Sequence, residues 1–426
     1  MRDHELRKQV VSEMHLRRWP VLSVPSLVIQ WVLIVAPEER GEEAEHLDRV
    51  SPAHAEGNTP THRSGFISDD VEVSWEKHSE GSSIALFIRN ISENDLIADT
   101  PPKHVAQALG WAQGLPGQVM RATKIMVVAN DKVANRLLPS LDLLRSELIS
   151  CNFGGAARMW GDFRLKDDGF GKLLVAANGM DLRDFSRLVQ RLQDLGNYRN
   201  RALLGLPTAQ EAWPRLDAVG MKLSAVAERI AGDEAKDDML LDELSAYSAE
   251  LNAIANSIDY RLSATDAYAQ LVNERLDQLR VTPIDGYASL VDFTHRRFLP
   301  AIRTCAAVRE RQRSLSERAE GAASMLRARI STRIENQNAE LLRSMDRSTR
   351  MQLRLQQLVE GLSVVALSYY LIGLVGYVLK GAAHNWAGFD AEMALAIITV
   401  PVVLLVWLAT RTLKKRLLQV PEQRAP

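Results

Sequence analysis

Four groups of side chains in this 426-residue sequence have types and spacings that could do chemistry. Glu360, Ser363, Tyr370 and Tyr377, with Leu367 and Leu374 between them, fall within about a 100° arc of an ideal helix. In an apolar segment, such an acidic and hydroxyl-bearing stripe faces a bundle interior or lines a water-filled pore. The plainer reading sets Glu360 at headgroup level and the tyrosines in interfacial belts. Arg343, Arg347, Arg350 and Arg354 repeat at i, i+4, i+7 and i+11 and make one basic stripe. It suits anionic lipid headgroups, or an electrostatic ring around an oligomer axis, and Asp346 can pair with Arg343 or Arg350.

Glu76, His78 and Glu80 project to one face if residues 71–80 form a strand. Two carboxylates and an imidazole could hold a divalent metal, although strands also carry such charges on solvated faces. Gly154-Gly155 could cradle a phosphate through backbone N–H groups. Without a GxGxxG or Walker lysine pattern it reads as a turn. No Ser/His/Asp, Cys/His or paired-carboxylate arrangement is specific enough to name an enzyme, so none is expected. No cofactor is implied beyond a divalent cation such as Mg²⁺.

The elements that must position these groups are clearest toward the C-terminus. Residues 358–379 hold one charge, Glu360, and some 20 such residues cross a hydrocarbon core of about 30 Å. Residues 393–410 form a second span with Pro401 inside it, tolerable where neighbouring helices re-satisfy the freed carbonyl. The intervening loop, 380–392, contains Trp386 and Phe389, which fit an aromatic belt. Gly373 and Gly376 suit close helix packing. Arg343 to Arg354 precede the first span, and Arg411, Lys414, Lys415 and Arg416 follow the second. The loop has only Lys380 against Asp390 and Glu392. Basic flanks stay inside, so both termini are expected to be cytoplasmic. A buried soluble hairpin is the alternative.

Ahead of these spans, residues 301–357 read as a stalk helix. Leu315, Ala319, Ala322, Leu326, Ile330, Ile334, Asn338, Leu341 and Met345 recur at a spacing nearer 3.6 than 3.5, which favours a nearly straight helix. Continued into the first span, the rod is on the order of 115 Å long. Its apolar stripe needs partners, and a homo-oligomer around an axis supplies them.

The front of the chain reads differently. Strands are expected at 27–35, 71–78, 83–90, 124–129, 149–153 and 159–165, with helices at 3–16, 38–48, 102–112 and 131–144 between them. Residues 51–64 read as a mobile loop. From 181 onward the pattern turns helical, with Gly205 and Pro207 punctuating, a helix at 216–230, and a long one from 240 to 279. The expected fold is thus α+β/α. A mixed α/β domain (1–178) leads to a helical middle (179–300), the stalk (301–357), two transmembrane helices (358–417) and a tail (418–426). A net charge of −1 with 25% charged residues points to no nucleic-acid partner. Two cysteines leave no disulfide framework, which fits a reducing compartment. Residues 1–19 lack the apolar core of a secretory signal.

The chain resembles an uncharacterised bacterial family described as predicted membrane-anchored proteins, a domain of unknown function. The residues that carry this are Glu13-Met14-His15 with Arg17, Trp75-Glu76-Lys77-His78-Ser79-Glu80, and Asp162-Phe163-Arg164 with Asp168-Gly169-Phe170. They continue with Tyr198-Arg199, Ala202 to Pro207 and Arg303-Thr304-Cys305. The longest runs are Ser344-Met345-Asp346-Arg347, Leu353 to Gln357 and Val359 to Ser363. That resemblance implies a bacterial inner-membrane location and no settled activity. In architecture alone, the order of elements is similar to the CorA-type magnesium channels, which are pentamers with a Gly-Met-Asn motif closing the first membrane helix. The matching stretch here, Gly373 to Gly381, lacks that motif. The function expected is divalent-cation transport or its regulation by an oligomeric membrane protein. The alternative is a membrane-anchored scaffold or sensor presenting the α/β domain.

Overall fold

The computed structural model describes residues 3–7, 11, 19–232, 236–383 and 390–417, with the side chains of 382, 383, 391 and 414–417 also outside the description. The expected helix at 3–16, the loop aromatics Trp386 and Phe389, the tail 418–426 and the side chains of Lys414, Lys415 and Arg416 therefore lie outside the described residues. The chain divides into two compact units, Met1–Ser324 and Met325–Pro426.

The first unit is built on one mixed sheet. Ser26–Ile34 (β1) is apolar apart from Ser26 and Gln30, and it becomes an inner strand, antiparallel to both Gly81–Ile88 (β4) and Gln118–Val128 (β5). His62–Ser68 (β2) and Val71–His78 (β3) extend one side. Ile149–Phe153 (β6), Ala157–Gly161 (β7), Gly171–Ala176 (β8) and Thr282–Pro283 (β9) extend the other, giving the order β2-β3-β4-β1-β5-β8-β7-β6-β9. The β5–β8 pair is parallel. β6 and β7 form a hairpin whose turn uses Gly154 and Gly155 at φ +61° and +104°. A Cβ on Gly154 would lie 2.1 Å from Leu188, so the pair makes a packed turn.

Both faces of the sheet are covered. On one, Ile29, Leu86 and Val128 pack with Arg40–Asp48 (α1), Lys103–Gln113 (α2) and Asp131–Leu137 (α3). On the other, Val28, Phe87 and Val127 share a core with Leu182–Leu203 (α4), Asp237–Leu279 (α6) and the start of Leu290–Ala383 (α7). Gly205–Ala231 (α5) packs on α6.

Several boundaries differ from the sequence reading, each for a local reason. The segment expected as a loop is tied down: Ser51 Oγ donates to Ser64 O at 2.8 Å, Asn58 Oδ1 accepts from Ser64 N at 2.8 Å, and β2 follows. α3 ends at Leu137, where Pro139 turns the chain into a 3₁₀ segment, so the helix expected to 144 is cut short. Pro207 does not delay α5, because it falls in the first turn, where a missing N–H costs nothing. α7 begins at Leu290 and runs through Pro300, ahead of the expected start. Its N-terminus is closed by a reciprocal cap in which Ser289 Oγ accepts from Asp292 N at 3.1 Å and Asp292 Oδ2 accepts from Ser289 N at 3.1 Å.

In the second unit, α7 and Ala391–Leu417 (α8) hold two windows of mean hydropathy 2.0 and 2.5, long and apolar enough to cross a membrane. Ser368 and Gly376 form the covered face of α7, and a Cβ on Gly376 would meet Leu395 at 3.4 Å. At Gly373, expected to act likewise, an added Cβ would meet nothing within 4 Å among the described residues.

Candidate functional site

Strand β3 alternates. Val71, Val73 and Trp75 are buried on one face, and Ser74, Glu76 and His78 stand on the other. Opposite that polar face, α4 presents Gln190, Asp194, Asn197 and Arg201 at helical spacing, and α6 adds Arg275. Between them lies a cavity of about 180 Å³, with Trp19 in its lining. Trp19 is fixed by an edge-on contact with Phe87, ring centroids 5.0 Å apart, and by its backbone N–H donating to Gln190 Oε1 at 3.3 Å.

The cavity is chemically mixed. Asp194 Oδ2 lies 3.7 Å from Arg275 Nε, an ion pair across the opening rather than a tight hydrogen bond. Burial pushes the Asp194 carboxyl up to about 7; the Glu76 charge adds to this, while Arg275 and Arg191 oppose it. Asp194 still keeps 28% of its side chain open, because it faces the cavity and not packed carbon. Burial, and then the Asp194 charge, raise the Tyr198 hydroxyl above its usual range. Tyr198 stacks on Tyr268 at 6.1 Å, and Arg275 lies 5.9 Å over its ring. His78 Nε2 is 3.0 Å from Ser83 Oγ on the neighbouring strand.

Glu76 and His78 therefore share this cavity, as their spacing suggests. Glu80 does not join them: it sits in the β3–β4 turn and pairs with Arg261 of α6 at 2.8 Å. Among the described residues, no group of three His, Cys, Asp or Glu is placed to hold a metal. Sequence reasoning missed Asp194, Asn197, Arg201 and Arg275. The available signal was a polar stripe, Gln190, Asp194, Asn197 and Arg201, running beside the Leu188, Leu192 and Leu195 stripe of the same helix. Neither cysteine offers a nucleophile. Burial pushes the Cys151 thiol up to about 11, and Cys305 is also buried and raised.

In the second unit, Ser363, Tyr370 and Tyr377 are all exposed, away from the face that Ser368 and Gly376 turn to α8. Ser363 Oγ donates to Val359 O at 2.8 Å, which satisfies it within its own helix. Glu360 is half-buried. A path lined by this stripe would have to form between copies of the chain. Arg343, Arg347, Arg350 and Arg354 are exposed, and Arg350 pairs with Asp346 at 2.8 Å.

No curated protein and no solved structure matches the chain. The similarity to CorA-type channels therefore rests on the order of elements alone. The family described as "Protein of unknown function (DUF3422)" matches residues 2–417, nearly the whole sequence, and the chain belongs to that family.

Proposed function

We propose that this chain is a two-span protein of the bacterial inner membrane that holds a ligand-binding α/β unit in the cytoplasm and acts as a sensor. The observation that carries this reading is the cavity between β3 and α4. Its carboxyl titrates near neutrality and is surrounded by guanidinium, imidazole, amide and hydroxyl groups. Donors, acceptors and both signs of charge line one small space, which suits a small zwitterionic or multiply polar solute. The cavity's groups suit recognition of a polar solute, and binding is the activity assigned. Two apolar helices supply the anchor, and the basic residues flanking them keep both termini inside. The arginine stripe lies on anionic headgroups, at about 1 kcal/mol per residue.

Thermal unfolding of the full chain in detergent, against amino acids, dicarboxylates and nucleotides, tests the reading. At least one class should raise the midpoint of the wild type and leave Arg275→Met unmoved. If no class moves the wild type, and Asp194→Asn keeps the wild-type pH profile, the cavity is not a binding site.

A second reading, oligomeric transport of a divalent cation such as Mg²⁺, draws on the outward stripe of α7. Tyr370 and Tyr377 are 71% and 79% exposed on a single chain, and Ile334, Leu341 and Met345 also lack cover. Homo-oligomers would cover them. Flux of Mg²⁺ into liposomes that is lowered by Glu360→Gln would favour this reading over the sensor.

A further inference from the structure

A second cavity, of about 230 Å³, opens on the other side of α4, between that helix and the ends of β5 and β8. Its charged lining is Arg121, Arg164, Lys172 and Arg199, with no carboxylate among the lining residues. Arg164 is held bidentately by Glu147 at 2.8 Å, and Lys172 lies in the field of Asp168, whose own ion pair is with Lys124 at 2.8 Å.

Arg121 and Arg199 make no ion pair with a carboxylate among the described residues. Arg121 donates to Asn197 Oδ1 at 2.7 Å, Gln193 Oε1 at 2.8 Å and Gln30 Oε1 at 3.4 Å, which are all neutral amide oxygens. Room for its guanidinium is built into α4: a Cβ on Gly196 would sit 2.6 Å from Arg121 Nη2. Arg199 is 8% exposed, with its guanidinium carbon 4.7 Å from the Phe163 ring centroid and 5.0 Å from that of Phe293. Its Nη1 is buried without a hydrogen-bond partner among the described residues. Phe163 reaches it from a backbone at φ +53°, a region bulky residues rarely occupy.

Burial lowers both guanidinium groups, Arg121 to about 9 and Arg199 to about 10, and the charge of Arg199 lowers Arg121 further. A buried cation and a half-buried one in each other's field without an acid are costly, because each loses hydration and each repels the other. A guanidinium fork matches an oxyanion in charge and in hydrogen-bond geometry. We propose that this cavity is an anion site, in which Arg121 and Arg199 bind the dianionic head of a phosphate monoester whose body rests on Phe163. The site is a separate cavity from the sensor cavity. Gln30 and Asn197 nevertheless line that cavity and hold Arg121, so occupation of one site reaches the other through two side chains.

The test uses the purified full chain in detergent, with inorganic phosphate and phenyl phosphate as probes and chloride at equal ionic strength as control. Both probes should raise the unfolding midpoint of the wild type saturably, by about 5 °C at a hundredfold excess over Kd. Phenyl phosphate should bind more tightly than phosphate. Arg199→Met should weaken binding at least tenfold and, having lost an unpaired buried cation, should unfold in phosphate-free buffer no earlier than the wild type. Arg199→Lys should keep part of the affinity, which serves the test if the methionine variant does not fold. A wild-type midpoint that responds to neither probe beyond the chloride control overturns the proposal. So does Arg199→Met that binds both probes as the wild type does.

Discussion

Trp160, Phe153 and Phe185 in the first unit are fully buried, whereas Leu358, Leu362 and Val378 in the second are 70–72% exposed. The same type of side chain is treated in opposite ways within one sequence. At roughly 25 cal/mol per Å² of apolar surface, water would strongly disfavour the second arrangement, whereas hydrocarbon would not. Polar groups divide less cleanly, since Ser186 and Ser248 of the first unit also turn back onto their own helix carbonyls. In the first unit, the buried Glu43 accepts from Trp75 Nε1 at 2.9 Å and pairs with Arg40 at 2.9 Å. In the second, hydroxyls such as Ser363 and Thr399 turn back onto their own helix carbonyls. On the proposed reading, the two units are each ordered for a different solvent.

The largest expected effect follows from the packed side. Phe185→Ala should destabilise the first unit by about 3–5 kcal/mol in denaturant titration, while Leu362→Ala costs less than about 1 kcal/mol. Equal losses would erase the contrast. If α8 spans the membrane as proposed, Leu404→Arg sets a charge midway along it. It should disfavour insertion by about 2.5–3.5 kcal/mol, read as protein released from membranes by alkaline wash.

A smaller effect concerns Asp194. Its carboxyl loses its proton near the ordinary 3.8 when unfolded and at about 7 when folded. Between those values the folded state binds more protons, so stability should fall as pH rises through that window. Asp194→Asn removes this slope and should be the more stable protein above pH 7, by on the order of 1–2 kcal/mol once water in the cavity has screened the charge. A variant with the wild-type slope would place the titrating group elsewhere. Smallest of all, Arg350→Ala breaks an exposed pair with Asp346 and should change stability by less than about 1 kcal/mol.

The sequence made some of this legible and hid the rest for physical reasons. β1, β3 and β6 were readable because apolar runs and alternation leave little choice of face. β8 was not, since Lys172-Leu173-Leu174-Val175-Ala176 is too short to separate from a helical fragment. The start of α7 was marked by Ser289 and Asp292, a capping signal that Pro300 obscured. Glu76 and His78 were found by alternation on one strand, which is local information. Asp194 and Arg275 belong to helices brought to that strand only by tertiary packing, and Arg121 and Arg199 line one cavity for the same reason. Adjacency of that kind is absent from periodicity.

The claim of two solvents is tested most directly by the sidedness of the chain. A reporter fused after Pro426 should be active as a cytoplasmic protein, and one inserted within residues 384–389 should be active as a periplasmic one, both in otherwise full-length protein. Opposite sides is the result expected of two spans with basic flanks inside. Both reporters cytoplasmic would contradict it, leaving α7 and α8 as a hairpin that does not cross the bilayer.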